Sequence, residues 1–132
     1  MIAHLSPRPL KRIRSGLFSQ RRPIAKCPDL PRLDGKWALV TGANSGIGKQ
    51  TARGLLQRGA SLIMLCRNVE KAEQARFGFL KDGFDPAKII LIECDLADLD
   101  SVMAAGQAVK HQLRGQKINI FVEKFRFQKF RF

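Results

Sequence analysis

The residues most suited to chemistry are Thr41-Gly42-Ala43-Asn44-Ser45-Gly46-Ile47-Gly48, whose glycines are spaced G-x-x-x-G-x-G. Gly42 at the end of a strand permits a tight exit. Gly46 lets backbone approach a bulky anion that a Cβ would obstruct, and Gly48 lets a following helix pack closely on a sheet. Free N–H groups at the start of that helix, with its dipole, then attract the anion. The chemistry this supports is binding of a diphosphate. Taken alone, the triplet is also compatible with a structural turn.

A loop of this kind needs a strand before it and a helix after it. Lys36–Thr41 (KWALVT) is a short apolar run bounded by Gly35 and Gly42, the pattern of a buried strand. Ile47, Thr51, Leu55 and Arg58 then recur at helical spacing, with Ala52 and Leu56 widening the apolar face and Gly59 placed for a left-handed cap. Ser61–Cys66 (SLIMLC) is a second strand. Asn68 caps a helix reaching about Lys81, with Val69, Ala72 and Leu80 among its apolar positions. After a turn at Gly83–Pro86 comes a third strand, Lys88–Cys94. Asp98 or Asp100 caps a third helix, whose inward stripe is Val102, Gly106, Val109 and Leu113; Gly115 ends it. Lys117–Val122 is a fourth strand. The order β-α-β-α-β-α-β with apolar strands predicts an α/β fold, a parallel sheet covered on both faces. Right-handed crossovers make it Rossmann-like and doubly wound, ending after the fourth strand.

Two more strand ends face the same ligand edge. Dinucleotide-binding sheets that prefer an unphosphorylated ribose carry an acid at the end of the second strand. Here that place holds Cys66, followed by Arg67. A neutral residue and an arginine suit a 2′-phosphate, which favours NADP(H) over NAD(H). Asp95, after the third strand, borders the crevice, where it could accept from an adenine amino group or serve as a turn residue. Lys49 is read as an exposed helix lysine rather than a phosphate ligand.

Together these segments resemble the short-chain dehydrogenase/reductase family. TGANSGIG is similar to its TGxxxGIG loop, and CRN at 66–68 and CDLAD at 94–98 look like its NADP-preferring, retinol-dehydrogenase-like branch. The resemblance covers about residues 33–122. It implies a seven-stranded Rossmann sheet and hydride transfer between a nicotinamide cofactor and alcohols or carbonyls. Cofactor contact is expected at Gly42, Asn44, Ser45, Gly46, Ile47, Gly48, Arg67, Asp95 and Leu96. The family also requires NNAG after the fourth strand, where this chain has Glu123-Lys124-Phe125-Arg126. It requires a catalytic Ser and a Tyr-x-x-x-Lys pair, and the sequence contains no tyrosine. His4, His111 and Ser101 offer no substitute base. No catalytic or metal-binding residue is therefore assigned, and this chain alone is expected to be inactive, as a truncated form would be. A non-catalytic nucleotide-binding or subunit-pairing module is the alternative.

The net charge of +13 is concentrated at the two ends. Residues 1–28 hold seven Lys/Arg and no acid, and residues 123–132 alternate Phe with Lys or Arg. Three organisational units are expected: a disordered basic leader over 1–32, a partial NADP-binding domain over 33–122, and an atypical tail over 123–132. Cys27, Cys66 and Cys94 form no disulfide framework, which favours a reducing compartment. The chain is accordingly placed in the cytoplasm, with mitochondrial import of the acid-free leader as the alternative. No run of about 18 apolar residues exists, so no membrane span is expected. The tail could in principle stack on single-stranded nucleic acid, but an unselected tail is the preferred reading, and the expected partner is a nicotinamide dinucleotide. An open sheet edge carrying Phe leads to the further expectation of marginal stability, or pairing with a full-length relative.

Overall fold

The computed structural model describes residues 30–124. The leader up to residue 29 and the Phe-rich tail from 125 onward, each the subject of an expectation above, lie outside the described residues.

The chain alternates as anticipated: β1 (Trp37–Thr41), α1 (Gly46–Gln57), β2 (Ser61–Cys66), α2 (Val69–Lys81), β3 (Ile89–Glu93), α3 (Leu99–Leu113) and β4 (Ile118–Val122). A short 3-10 turn at Pro86–Lys88 leads into β3. The strands form one parallel sheet in the order β3-β2-β1-β4. Successive crossovers through α1 and α2 step outward from β1. The α3 crossover then returns past β1 to β4, so it lies on the other face. One core joins Ala52, Leu55 and Leu56 of α1 and Ala72, Ala75 and Phe79 of α2 to alternate strand residues Ala38, Val40, Leu62 and Met64. A smaller core joins Val109 and Leu113 of α3 to Leu39 and Ile63, the opposite parity of β1 and β2. The two-residue strand period thus sorts the helices onto their faces.

Several side chains depart from the sequence reading. In α1 the buried stripe is Gly48, Ala52, Leu55 and Leu56, whereas Ile47 is 78% exposed. The helix begins at Gly46, so Ile47 sits in its first turn and faces out over the loop rather than onto the sheet. In α2 the inward residues include Ala75 and Phe79, while Val69 is exposed and Leu80 only half-buried. In α3 Ala105 is buried and Gly106 is exposed, a rotation of one position. β4 reads by composition as a buried strand, with an open sheet edge as the further expectation. Ile118 and Phe121 are exposed, because the strand pairs only with β1 among the described residues and no helix among them covers that part of the sheet.

Turn chemistry matches the residues that make it. Gly59 adopts φ 92° after α1, and its amide donates to Leu56 O at 2.9 Å. The chain before β1 is already tied down: Arg58 donates through Nε and Nη2 to Pro31 O, at 3.0 and 2.7 Å. Between Trp37 and Ala38 the β1–β4 register slips by one residue, and Asn119 Oδ1 accepts from Trp37 N–H at 3.0 Å where a backbone acceptor is lost.

Candidate functional site

In a parallel sheet whose crossovers change sides, a crevice opens at the carboxyl ends of the two strands flanking the change. Here those strands are β1 and β4. The glycine loop leaves β1 at this point, and the ends of β2 and β3 lie beside it.

Thr41, the last residue of β1, is 2% exposed. Gly42 follows at φ 62°, with its amide donating to Leu65 O at 2.8 Å. Gly46, at φ 52°, opens α1. These left-handed conformations are those that glycine adopts without a steric cost. Gly48 is needed for a different reason. A Cβ there would stand 2.3 Å from Gly42 O and 2.9 Å from Gly42 C, so only a glycine lets α1 start this close to the strand exit.

The start of α1 also differs from the other two helix starts. Asn68 accepts from Lys71 N–H, and Asp98 accepts from Asp100 N–H, each with an acid in the first turn. Ser45, the N-cap of α1, makes no side-chain cap bond, and its first turn contains no acid. Ser45, Gly46 and Ile47 are exposed and Asn44 half-buried above this helix end. The loop therefore presents amide groups and positive dipole outward, with no acid in its first turn to meet them.

Cys66 closes β2 beneath the loop. The residue is 2% exposed, and the backbone N–H groups of Ala43 and Asn44 lie on the side of its sulfur where they favour the thiolate. Burial pushes the thiol up from its ordinary value, outweighing those donors. At neutral pH the end of β2 thus bears no negative charge. Arg67, the next residue, is exposed, and no acid among the described residues pairs with it.

Beyond β3, Cys94 N–H donates to Cys66 O at 3.1 Å, which carries the chain along the same edge. Asp95 N–H donates to Ser101 Oγ at 2.9 Å, and Asp95 Oδ1 accepts from Ala97 N–H at 3.0 Å. Asp95 therefore shapes the turn into α3, one of the two roles left open from sequence. Leu96 is about half exposed beside it. Asp98, rather than Asp100, is the cap of α3, and Ser101 serves the same turn.

Sequence reasoning passed over two residues. Thr41 lies inside the recognised motif but was not expected to act, and Lys124 was assigned to the atypical tail. The structure joins them: Lys124 N–H donates to Thr41 Oγ1 at 2.8 Å across 83 positions. A polar residue ending an apolar strand was the one available signal for Thr41.

A shallow depression of about 590 Å³ lies beside Trp37, Ser61 and Lys117. It is at the amino ends of the strands, on the edge opposite the glycine loop. Its polar groups are partly spent on each other, since Trp37 Nε1 donates to Gln116 Oε1. Ligands of open α/β sheets bind at the carboxyl edge, so the glycine-loop edge is the candidate site. Among the described residues no group of three or more metal-ligating side chains gathers, and no helix is long and apolar enough to cross a membrane.

Comparison with known proteins gives concordant results. The family model for short chain dehydrogenase matches residues 36–124. Dehydrogenase/reductase SDR family member 13 of Bos taurus is 44% identical over 82 residues, 62% of this chain and 22% of the relative. Retinol dehydrogenase 13 of Mus musculus is 39% identical over 89 residues, 67% of this chain and 26% of the relative. The chain thus spans about a quarter of the length of these relatives. Among solved structures, the N-domain of a bacterial malonyl-CoA reductase with NADP has 32% identity and a TM-score of 0.64, covering 70% of this chain and 17% of that one.

Proposed function

The chain belongs to the short-chain dehydrogenase family, and from that premise we propose that it binds NADP(H) at the glycine-loop edge without turning it over on its own. The observation carrying this reading is the cradle itself. Gly42 and Gly46 hold left-handed conformations, Gly48 meets Gly42 O in a space no Cβ could share, and α1 starts without a side-chain cap or an acid. The residues present fit a dinucleotide. Gly42, Asn44, Ser45, Gly46, Ile47 and Gly48 would hold the diphosphate and the adjoining sugar through backbone amides and close approach. Arg67 would meet a 2′-phosphate, and Asp95 with Leu96 would flank the adenine. The buried neutral thiol of Cys66 supports the 2′-phosphorylated form, because it leaves no carboxylate to repel a second anion.

A bound nicotinamide dinucleotide supplies or accepts hydride. Proton transfer in this family resemblance falls to a Tyr-x-x-x-Lys pair, and these 132 residues contain no tyrosine. His111 is exposed on α3, and Ser101 is engaged by Asp95 N–H. Neither is presented to the glycine-loop edge as a base. Alcohol or carbonyl oxidoreduction is the activity proposed for a full-length protein, and cofactor retention for this chain. On the domain organisation, we propose that residues 33–122 form the cofactor-binding unit, flanked by the basic leader and the tail.

Isothermal titration of the full chain with NADPH and with NADH tests the reading. Saturable binding of NADPH, tighter than NADH, with no NADPH consumption on mixing with retinal or short aldehydes, is expected. Folded protein that releases no heat with either nucleotide would overturn the binding claim, and steady aldehyde reduction would overturn the claim of inactivity.

A further inference from the structure

The end of β4 delivers a cation to the glycine loop. Thr41 Oγ1 fixes the backbone of Lys124 beside the strand exit, at 2.8 Å from its N–H. From there the side chain runs along the loop. Its Cδ lies 3.5 Å from where a Cβ on Gly42 would stand, and its Nζ lies 3.5 Å from the corresponding point on Gly46. The Cβ of Lys124 lies 3.8 Å from the Gly42 point, and apart from chain neighbours and the helix's own backbone no other described residue comes within 4 Å of either point. The ammonium thus hangs over the opening residue of α1.

That position is electrostatically poor for a lysine left to itself. A helix start carries roughly half a positive elementary charge. An acid in the first turn would offset the repulsion, but α1 has none. No carboxylate among the described residues pairs with Lys124. Two sources of positive charge converge on one patch, and the group that satisfies both is a multiply charged anion.

We propose that Lys124 is a diphosphate ligand, the counter-cation that this chain adds to the amide cradle of its glycine loop. The proposal rests on the dinucleotide reading above and deepens it. The family pattern has Asn in the segment after β4, so here a neutral amide position has become a charged one. Binding accordingly gains a component that depends on ionic strength and on the phosphates, independent of the adenine and the 2′-phosphate. Flexible and exposed, the lysine chain can lift off the glycines to admit the ligand while its backbone stays held by Thr41.

The experiment is calorimetric titration of the full chain, wild type and Lys124→Met and Lys124→Arg, with NADP+, inorganic pyrophosphate and adenosine at two salt concentrations. Circular dichroism checks the fold; an exposed side chain whose backbone bond is untouched can be exchanged without unfolding. NADP+ and pyrophosphate should both bind Lys124→Met about tenfold more weakly, the scale of one charge-assisted hydrogen bond. The salt dependence should shrink, Lys124→Arg should restore both, and adenosine should not distinguish the variants. Equal or tighter binding of NADP+ by Lys124→Met would overturn the proposal, tighter binding marking the side chain as an obstruction. Should NADP+ fail while pyrophosphate binds in a Lys124-dependent way, the anion site stands and the dinucleotide reading falls. If neither binds the wild type, both fall.

Discussion

Two glycines of α1 should respond oppositely to the same added methyl group. At Gly48 a Cβ would sit 2.3 Å from Gly42 O and 2.9 Å from Gly42 C, both backbone atoms. Ordinary contact begins near 3.4 Å, so the helix or the loop must give way by about 1 Å. Forced insertion into packed structure costs about 1–3 kcal/mol. Alanine recovers up to roughly 1 kcal/mol of helix propensity, which leaves a net loss of about 1–2 kcal/mol. Gly54 lies six residues further along the same helix, and a Cβ there meets nothing within 4 Å. Gly54→Ala should therefore keep the propensity gain of roughly 0.5–1 kcal/mol. For a domain of this size 1 kcal/mol moves the melting temperature by about 4–8 °C. Thermal melts by circular dichroism should show Gly48→Ala falling by about 5–10 °C and Gly54→Ala rising by a few degrees. NADPH titration should show the first variant losing affinity by more than roughly tenfold, because the displaced atoms carry the cradle, and the second unchanged. If both variants melt higher and bind as the wild type does, the close approach of α1 to the strand exit is not what the loop depends on.

Two other outcomes follow from the charges around the site. Arg67 is exposed and unpaired among the described residues, so Arg67→Ala should leave stability within about 0.5 kcal/mol. It should weaken NADPH by roughly ten- to a hundredfold and NADH little, by loss of a charge-assisted contact. Unchanged discrimination between the two nucleotides would remove Arg67 from the site. The thiols of Cys66 and Cys94 are both pushed up from 9.0 by burial, with the Asp95 carboxylate adding to the effect at Cys94. Above pH 9 the unfolded chain loses thiol protons that the folded chain keeps, so the unfolded state is favoured as pH rises. Urea denaturation should give a free energy that declines from about pH 9 upward, and a smaller decline in Cys94→Ala. A variant curve parallel to wild type would exclude the Cys94 thiol as a source of the slope.

The exposed apolar residues of β4 are where local reasoning and the folded structure part. INIFV has the composition of an interior strand, and composition says nothing about which strands or helices arrive beside it. Ile118 and Phe121 are exposed because the sheet order places β4 next to β1 alone among the described residues. Gly106 and Ala105 illustrate a smaller version of the same limit. Both lie within the apolar arc of α3, and a rotation of one position decides which one faces the sheet.

Strand and helix order, the turn glycines and the glycine loop were legible in the chain because each depends on neighbours a few residues away. Periodicity, caps and left-handed glycines are local physics, and TGANSGIG carries two of those glycines, Gly42 and Gly46. The partner of Thr41, the burial of Cys66 under Ala43 and Asn44, and the path of Lys124 over Gly42 and Gly46 depend on residues up to 83 positions apart. Only the parallel sheet, by setting β4 against β1, brings those groups to one edge. The sequence alone therefore named the cradle, and the tertiary structure decided which charge lies across it.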